Sequence, residues 1–214
     1  MAYFPFYIDI NNKVCLVVGG GKIALGKIKV LLKFEVIIIV VARNICEEIY
    51  KIKKSYDEKE SKEQIILYNR EFHDEDILDA EFIIAATDNN LLNSHISEIC
   101  KRNNKMVNVV DVKEECSFVF PAIIKNQELV VSIATGGNSP AMAAKIKRDI
   151  EKYIPEYYGE LIELLGEQRE YIKKEVSIPE YRKQVYNELI ALAQLYGRNI
   201  TTEEIENIIS KYKV

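Results

Sequence analysis

A short apolar run, Val14-Cys15-Leu16-Val17-Val18, stops at three consecutive glycines, Gly19, Gly20 and Gly21, and gives way at Lys22 to a helical pattern. A run this short, rich in valine and ended by glycine, predicts a buried parallel strand feeding a helix. Gly19, Gly21 and Ala24 fall on a G-x-G-x-x-G/A spacing. The first such residue permits a tight turn, the second lets a pyrophosphate approach the backbone, and the third lets the helix pack closely on the strand. A diphosphate would then sit on the helix N-terminus. Glycines also follow strands that bind nothing, so a plain structural turn is the competing reading. The strand context favours a dinucleotide site, with Gly19, Gly20, Gly21, Lys22, Ile23 and Ala24 as its cofactor contacts.

The rest of the chain predicts what that turn is part of. Tyr7 to Ile10 reads as a short opening strand. A helix from Lys22 to about Phe34 carries Ile23, Ala24, Ile28, Leu31 and Leu32 at helical spacing, which would cover one sheet face. Val36 to Ala42, β-branched almost throughout, reads as a strand covered on both sides. A helix begins near Asn44 and runs into the charged stretch Tyr56 to Lys62, a solvated helix end or loop. Further strands are predicted at Ile65–Tyr68, from Phe82, and at Met106–Val110 ending at Asp111. A brief helix or turn at Asp74–Leu78 and a helix at Leu91–Lys101, capped by Asp88 or Asn89, lie between them. Five strands alternating with helices predict an α/β fold, a Rossmann-like doubly wound parallel sheet of order 3-2-1-4-5 with right-handed crossovers.

After Asp111 the pattern changes. Ser117–Ile124 and Leu129–Ala134 read as an antiparallel hairpin of the kind that pairs with a second subunit, with Pro121 at an edge or bulge. Ser139 and Pro140 then read as N-cap and first position of a helix. The remainder is helical, at 141–153, 156–175, 179–196 and 202–213, the last opened by a Thr201-Thr202-Glu203-Glu204 capping signal. The division expected is 1–112 as the dinucleotide domain, 113–145 as a dimerisation segment and 146–214 as a small helical domain.

Composition narrows the function. The 214 residues, 48% hydrophobic, suffice for a core, and a net charge of −4 with interspersed signs supplies no basic field for nucleic acid. The opening Met1 to Phe6 lacks the pattern of a signal peptide, and the longest apolar run, Val36–Ala42, is too short to span a bilayer. The chain therefore reads as soluble and cytoplasmic, with no membrane partner. Cys15, Cys46, Cys100 and Cys116 are scattered, and His73 and His95 stand at no ligand spacing, so no metal site is expected.

In an open α/β sheet, ligands bind beyond the carboxyl ends of the strands. Gly19–Gly21, Thr87 and Asp88, and Asp111 should converge there. Asp111, an acid at the end of an apolar strand, is the candidate catalytic residue: such a carboxylate can be desolvated and tuned for proton transfer, the alternative being a loop cap. The second strand ends in Arg43 where a ribose-binding acid would favour NAD, so Arg43 could hold a 2′-phosphate, stack on adenine or face water; NAD and NADP both stay open. Thr135, Gly136, Gly137, Asn138 and Ser139 form a second glycine loop at a helix start, a further anion site. The segment from there to Lys152 is positive by two, fitting a carboxylate-rich substrate or simply a solvated face.

Val-Val-Gly-Gly-Gly-x-x-Ala at 17–24, Ala-Ala-Thr-Asp-Asn at 85–89, Asn-Val-Val-Asp at 108–111, Ser-Phe-x-x-Pro-Ala at 117–122 and Thr-Gly-Gly-Asn-Ser-Pro-Ala at 135–141 occur in order. Together they resemble the precorrin-2 dehydrogenase and sirohydrochlorin ferrochelatase family, the N-terminal module of siroheme synthase. The resemblance implies a homodimer using NAD to oxidise precorrin-2, a carboxylate-rimmed tetrapyrrole, to sirohydrochlorin; in some members the same cleft inserts Fe²⁺ as a second substrate. It puts the family's important aspartate on Asp111 and adds Ser117 to the second glycine loop as substrate contacts. With no methyltransferase half after the helices, precorrin-2 is expected to come from another enzyme. A reading from another class is a nucleotide-sensing regulatory module that binds NAD(H) and performs no tetrapyrrole chemistry.

Overall fold

The computed structural model describes residues 3–58 and 63–213. Positions 1–2 of the opening segment and 59–62 of the charged stretch lie outside the described residues. The chain forms two compact units, one of residues up to 120 with 134–139, the other of 121–133 with 140 onward.

The first unit is built on five parallel strands, β1 (Val14–Val18), β2 (Ile37–Val41), β3 (Ile65–Tyr68), β4 (Phe82–Ala85) and β5 (Met106–Val109), in the expected order β3-β2-β1-β4-β5. Strand side chains alternate between faces, and both faces here are covered. Cys15 and Val17 pack with α1 (Lys22–Leu31) and α2 (Glu47–Asp57) in one apolar cluster. Leu16 and Val18 pack with α3 (Asn90–Arg102) in another. This explains why the strands read as continuous apolar runs.

Three local expectations are corrected. Tyr7–Ile10 is not a strand: β1, the strand it precedes, already has β2 and β4 as neighbours and offers it no edge, and Tyr7 and Ile8 stay exposed. Ile23 is 51% exposed, and the buried stripe of α1 is Ala24, Ile28 and Leu31. The hairpin strand is shorter than predicted, because residues 116–118 attach instead to the open edge of β5. Ser117 N–H donates to the Val107 carbonyl at 2.8 Å, and the Val107 N–H donates to Ser117 Oγ at 2.7 Å. The Asn108 side chain donates to the Phe118 carbonyl at 3.0 Å. An edge strand with its ladder groups satisfied in this way is no longer a template for another chain.

The second unit contains the antiparallel ribbon β6 (Ala122–Asn126) and β7 (Leu129–Ile133), turning through Gln127 at φ 50°. It continues into α4 (Pro140–Glu151), α5 (Tyr157–Glu167), α6 (Arg169–Glu175), α7 (Pro179–Tyr196) and α8 (Thr202–Ser210). The single helix expected over 156–175 is therefore two, divided at Gln168. Leu161, Ile172, Val185, Leu189, Ile205 and Ile209 supply much of the helical core. Thr201 and Glu204 cap α8 reciprocally, as the Thr-Thr-Glu-Glu signal predicts. Among the described residues no helix is long and apolar enough to cross a membrane.

Candidate active site

Strand register decides which loops meet. Tyr68 pairs with Val41, Val41 with Val18, Val18 with Ala85, and Ala85 with Val109, so the last residues of all five strands form one row. Four hydrogen bonds continue the ladder beyond it: Ala42 N–H to the Tyr68 carbonyl at 3.1 Å, Gly19 N–H to Val41 at 2.9 Å, Ala86 N–H to Val18 at 2.8 Å and Val110 N–H to Ala85 at 3.0 Å. Gly19–Gly21, Thr87, Arg43 and Asp111 consequently emerge along one sheet edge.

The three glycines serve different needs. Gly19 has φ 122°, and a Cβ on it would lie 2.2 Å from the Ala86 carbonyl oxygen. A Cβ on Gly20 would lie 2.4 Å from the Asn44 carbonyl oxygen, and the Gly20 carbonyl accepts from Cys46 N–H at 2.9 Å. These two are imposed by backbone packed against them. Gly21 has nothing within 4 Å of its missing Cβ. It is also the N-cap of α1, which has neither a side-chain cap nor an acid in its first turn, and the first intrahelical bond runs from Leu25 N–H to the Gly21 carbonyl. First-turn N–H groups and the positive end of the helix therefore face an open approach, which fits a diphosphate. Buried Ala24 lets α1 lie close to the sheet, while exposed Lys22 and Ile23 flank the loop.

The β4–α3 turn is held by Asn93, 2% exposed, which sequence reasoning missed. Its Oδ1 accepts from the Thr87 hydroxyl at 2.7 Å and the Thr87 N–H at 3.3 Å, and its Nδ2 donates to the Thr87 carbonyl at 3.1 Å. Asn89 is the helix cap, accepting from Leu92 N–H, and Asp88 beside it is exposed. The available signal was an asparagine on the apolar face of α3, six positions after Thr87. Asn93→Leu is expected to cost about 1–3 kcal/mol of stability by stranding the Thr87 groups. It should also weaken dinucleotide binding at the turn; urea unfolding and calorimetric titration measure the two effects.

At the β2 end Arg43 pairs with Glu71, Nη2 to Oε1 at 2.7 Å, both side chains well exposed. Asp111 adopts φ 64°, left-handed backbone that few residues other than glycine accept and that Asp and Asn tolerate best. Its side chain is exposed, so the desolvated carboxylate expected from sequence is not found in this state. Half-buried Lys27 of α1 is a further cation of this unit, its Nζ 4.0 Å from the Phe120 ring centroid. Burial lowers its pKa against the opposing pull of Cys116 and Asp111. Burial also pushes the Cys116 thiol up, and its Sγ lies within hydrogen-bond reach of the Val109 and Val112 backbone.

Among the proposed substrate contacts, Ser117 lies opposite Val107, two residues back from the strand-end row, and its hydroxyl is engaged there. Thr135–Ser139 forms a closed turn: Thr135 Oγ1 accepts from Ser139 N–H at 3.2 Å, and Asn138 N–H donates to the Thr135 carbonyl at 3.1 Å. Gly136 and Gly137 take φ 62° and 81°. The aliphatic stem of Lys113 packs 3.0 Å from the position a Gly137 Cβ would occupy, so this lysine, absent from the sequence-level reading, belongs to the loop. No group of three or more potential metal ligands occurs among the described residues.

Residues 6–122, more than half of the chain and all five parallel strands, match the sequence family described as "Putative NAD(P)-binding". The chain belongs to this NAD(P)-binding family. The open glycine loop lies within the matched residues. Among curated relatives, the siroheme synthase of Ruthia magnifica subsp. Calyptogena magnifica is 38% identical over 183 residues, 86% of this chain and 37% of that enzyme. That of Vesicomyosocius okutanii subsp. Calyptogena okutanii (strain HA) is 35% identical over 191 residues, 89% of this chain and 40% of the relative. The chain thus spans about two fifths of the siroheme synthases it matches. A solved structure titled SirC, precorrin-2 dehydrogenase, has the same fold, with a TM-score of 0.76 at 24% identity over 98% of this chain and 100% of that one.

Proposed function

We propose that this NAD(P)-binding chain oxidises precorrin-2 to sirohydrochlorin with NAD as hydride acceptor. The reading is carried by one juxtaposition: an uncapped helix start behind an open Gly21 shares a sheet edge with the left-handed aspartate Asp111. Similarity to siroheme synthases across 86–89% of the chain supports it.

Gly19, Gly20, Gly21, Lys22, Ile23 and Ala24 would hold the diphosphate, Thr87 and Asp88 the nicotinamide half and Arg43 the adenine-ribose end. Bound there, NAD supplies a hydride acceptor. Oxidation also releases a proton, which Asp111 takes as general base. Insertion of Fe²⁺ as a substrate would remove pyrrole N–H protons through the same carboxylate. Substrate carboxylates would meet the Thr135–Ser139 turn, with Lys113 adding positive charge.

The ribbon β6–β7 is two-stranded, and such a ribbon is marginal by itself. Pairing it with a second copy would complete the sheet, making 113–145 the dimerisation segment and 146–214 the helical domain. Sedimentation of the purified chain at the mass of a dimer is the expected result.

Purified protein given precorrin-2 and NAD should produce NADH and sirohydrochlorin together, and added Fe²⁺ should then shift the absorption spectrum to that of siroheme. NADH binding without NADH production from precorrin-2 would overturn the enzyme reading and leave a sensor. Production of sirohydrochlorin with no spectral change on adding iron would restrict it to dehydrogenation.

A further inference from the structure

The β2 end of the sheet lacks the acid that ordinarily receives the adenine-ribose 2′-hydroxyl, and places Arg43 there instead. An unpaired arginine at that position would capture a 2′-phosphate through two parallel hydrogen bonds. Here it is not unpaired. Val41 and Tyr68 are in register at the ends of β2 and β3, Arg43 lies two residues past the first and Glu71 three past the second, and their side chains meet at 2.7 Å. The next cation on this edge, Arg70, is likewise neutralised: Asp76 takes both of its terminal nitrogens, at 2.8 and 2.6 Å. That bond holds the Asp76 carboxyl below its usual range. Each of these two guanidiniums therefore has its own carboxylate.

We infer that Glu71, supplied by the β3 end, replaces the missing β2 acid and makes this site select a dinucleotide with a free ribose 2′-hydroxyl over one bearing a 2′-phosphate. The carboxylate acts in two ways. It occupies the guanidinium that a phosphate would need, and it places a negative charge beside a dianion, while a neutral hydroxyl can donate to it. Because the pair is exposed, solvent and salt screen it, so the discrimination is moderate and falls as ionic strength rises.

The inference rests on reading the cleft as a nicotinamide-dinucleotide site, and the experiment separates the two. The full chain, Glu71→Gln and the double variant Glu71→Gln/Arg43→Gln are titrated calorimetrically with NADH and with NADPH, at low and at physiological salt. The unaltered chain is expected to bind NADH at least about tenfold more tightly than NADPH. Glu71→Gln should raise NADPH affinity about tenfold and change NADH affinity by less than about threefold. The double variant should lose that gain, because the released Arg43 is what receives the phosphate. Thermal unfolding of both variants should match the unaltered chain, as expected for an exposed pair. An NADPH-to-NADH ratio identical in the unaltered chain and Glu71→Gln overturns the role of Glu71 while leaving the dinucleotide site standing. Failure of the unaltered chain to bind either dinucleotide overturns the site and this inference together.

Discussion

Asp111→Asn is expected to lower the rate of precorrin-2 oxidation by about two to four orders of magnitude, the range spanned by general-base catalysis, while NADH affinity stays within about twofold. Asparagine is the informative replacement because it removes the proton acceptor and keeps the backbone content. Both residues tolerate the left-handed region in which Asp111 sits at φ 64°. Asp111→Gly supplies the complementary test. It should stabilise the chain by about 0.5–1 kcal/mol by relieving that conformation while losing the same activity. A strained, exposed residue whose relaxation costs turnover has the signature of a position held for chemistry. Steady-state kinetics and urea unfolding of the two variants are the measurements, and full activity in Asp111→Asn would remove the aspartate from the mechanism.

The glycine loop gives the second large effect, and there the three residues part company. Gly19→Ala is expected to destabilise the first unit by more than about 3 kcal/mol, since a Cβ 2.2 Å from the Ala86 carbonyl oxygen forces backbone apart at φ 122°. Gly21→Ala should fold normally, because its φ of −89° suits alanine and its Cβ would enter open space. It should instead weaken NADH binding about tenfold or more, by placing a methyl where the diphosphate must approach the backbone. Urea unfolding and calorimetry on the pair separate the contributions. Equal loss of stability in both variants would refute the division between a packing glycine and a ligand-facing one.

That division shows how the sequence was readable and where it stopped. The spacing of Gly19, Gly21 and Ala24 predicted a turn, an approach and a packing contact, because these follow from the absence or smallness of a side chain. The apolar runs predicted five buried parallel strands and their order, because a strand covered on both faces has no polar alternation to confuse it. Positions whose partners are distant in sequence were not readable. Asn93 looked like one more residue of α3, yet it carries Thr87 by three hydrogen bonds. Ser117 read as the start of a hairpin strand and as a substrate contact, yet its hydroxyl satisfies Val107 on the edge of β5. Ile23 matched the helical stripe and is exposed, because α1 begins at the sheet edge and its first turn projects past the core.

The local pattern by itself determined that Val14–Val18 is a strand, that it ends in a glycine turn into a helix, and that Asp111 closes a later strand, since each depends on residues close in the chain. Only the tertiary structure decided that Arg43 meets Glu71, that Lys113 lies against Gly137, and that Gly21 rather than Gly19 faces open space. The physical reason is register. Parallel pairing aligns the strand ends to within one residue, and that alignment, invisible in any single segment, determines which charges and which bare backbone share an edge.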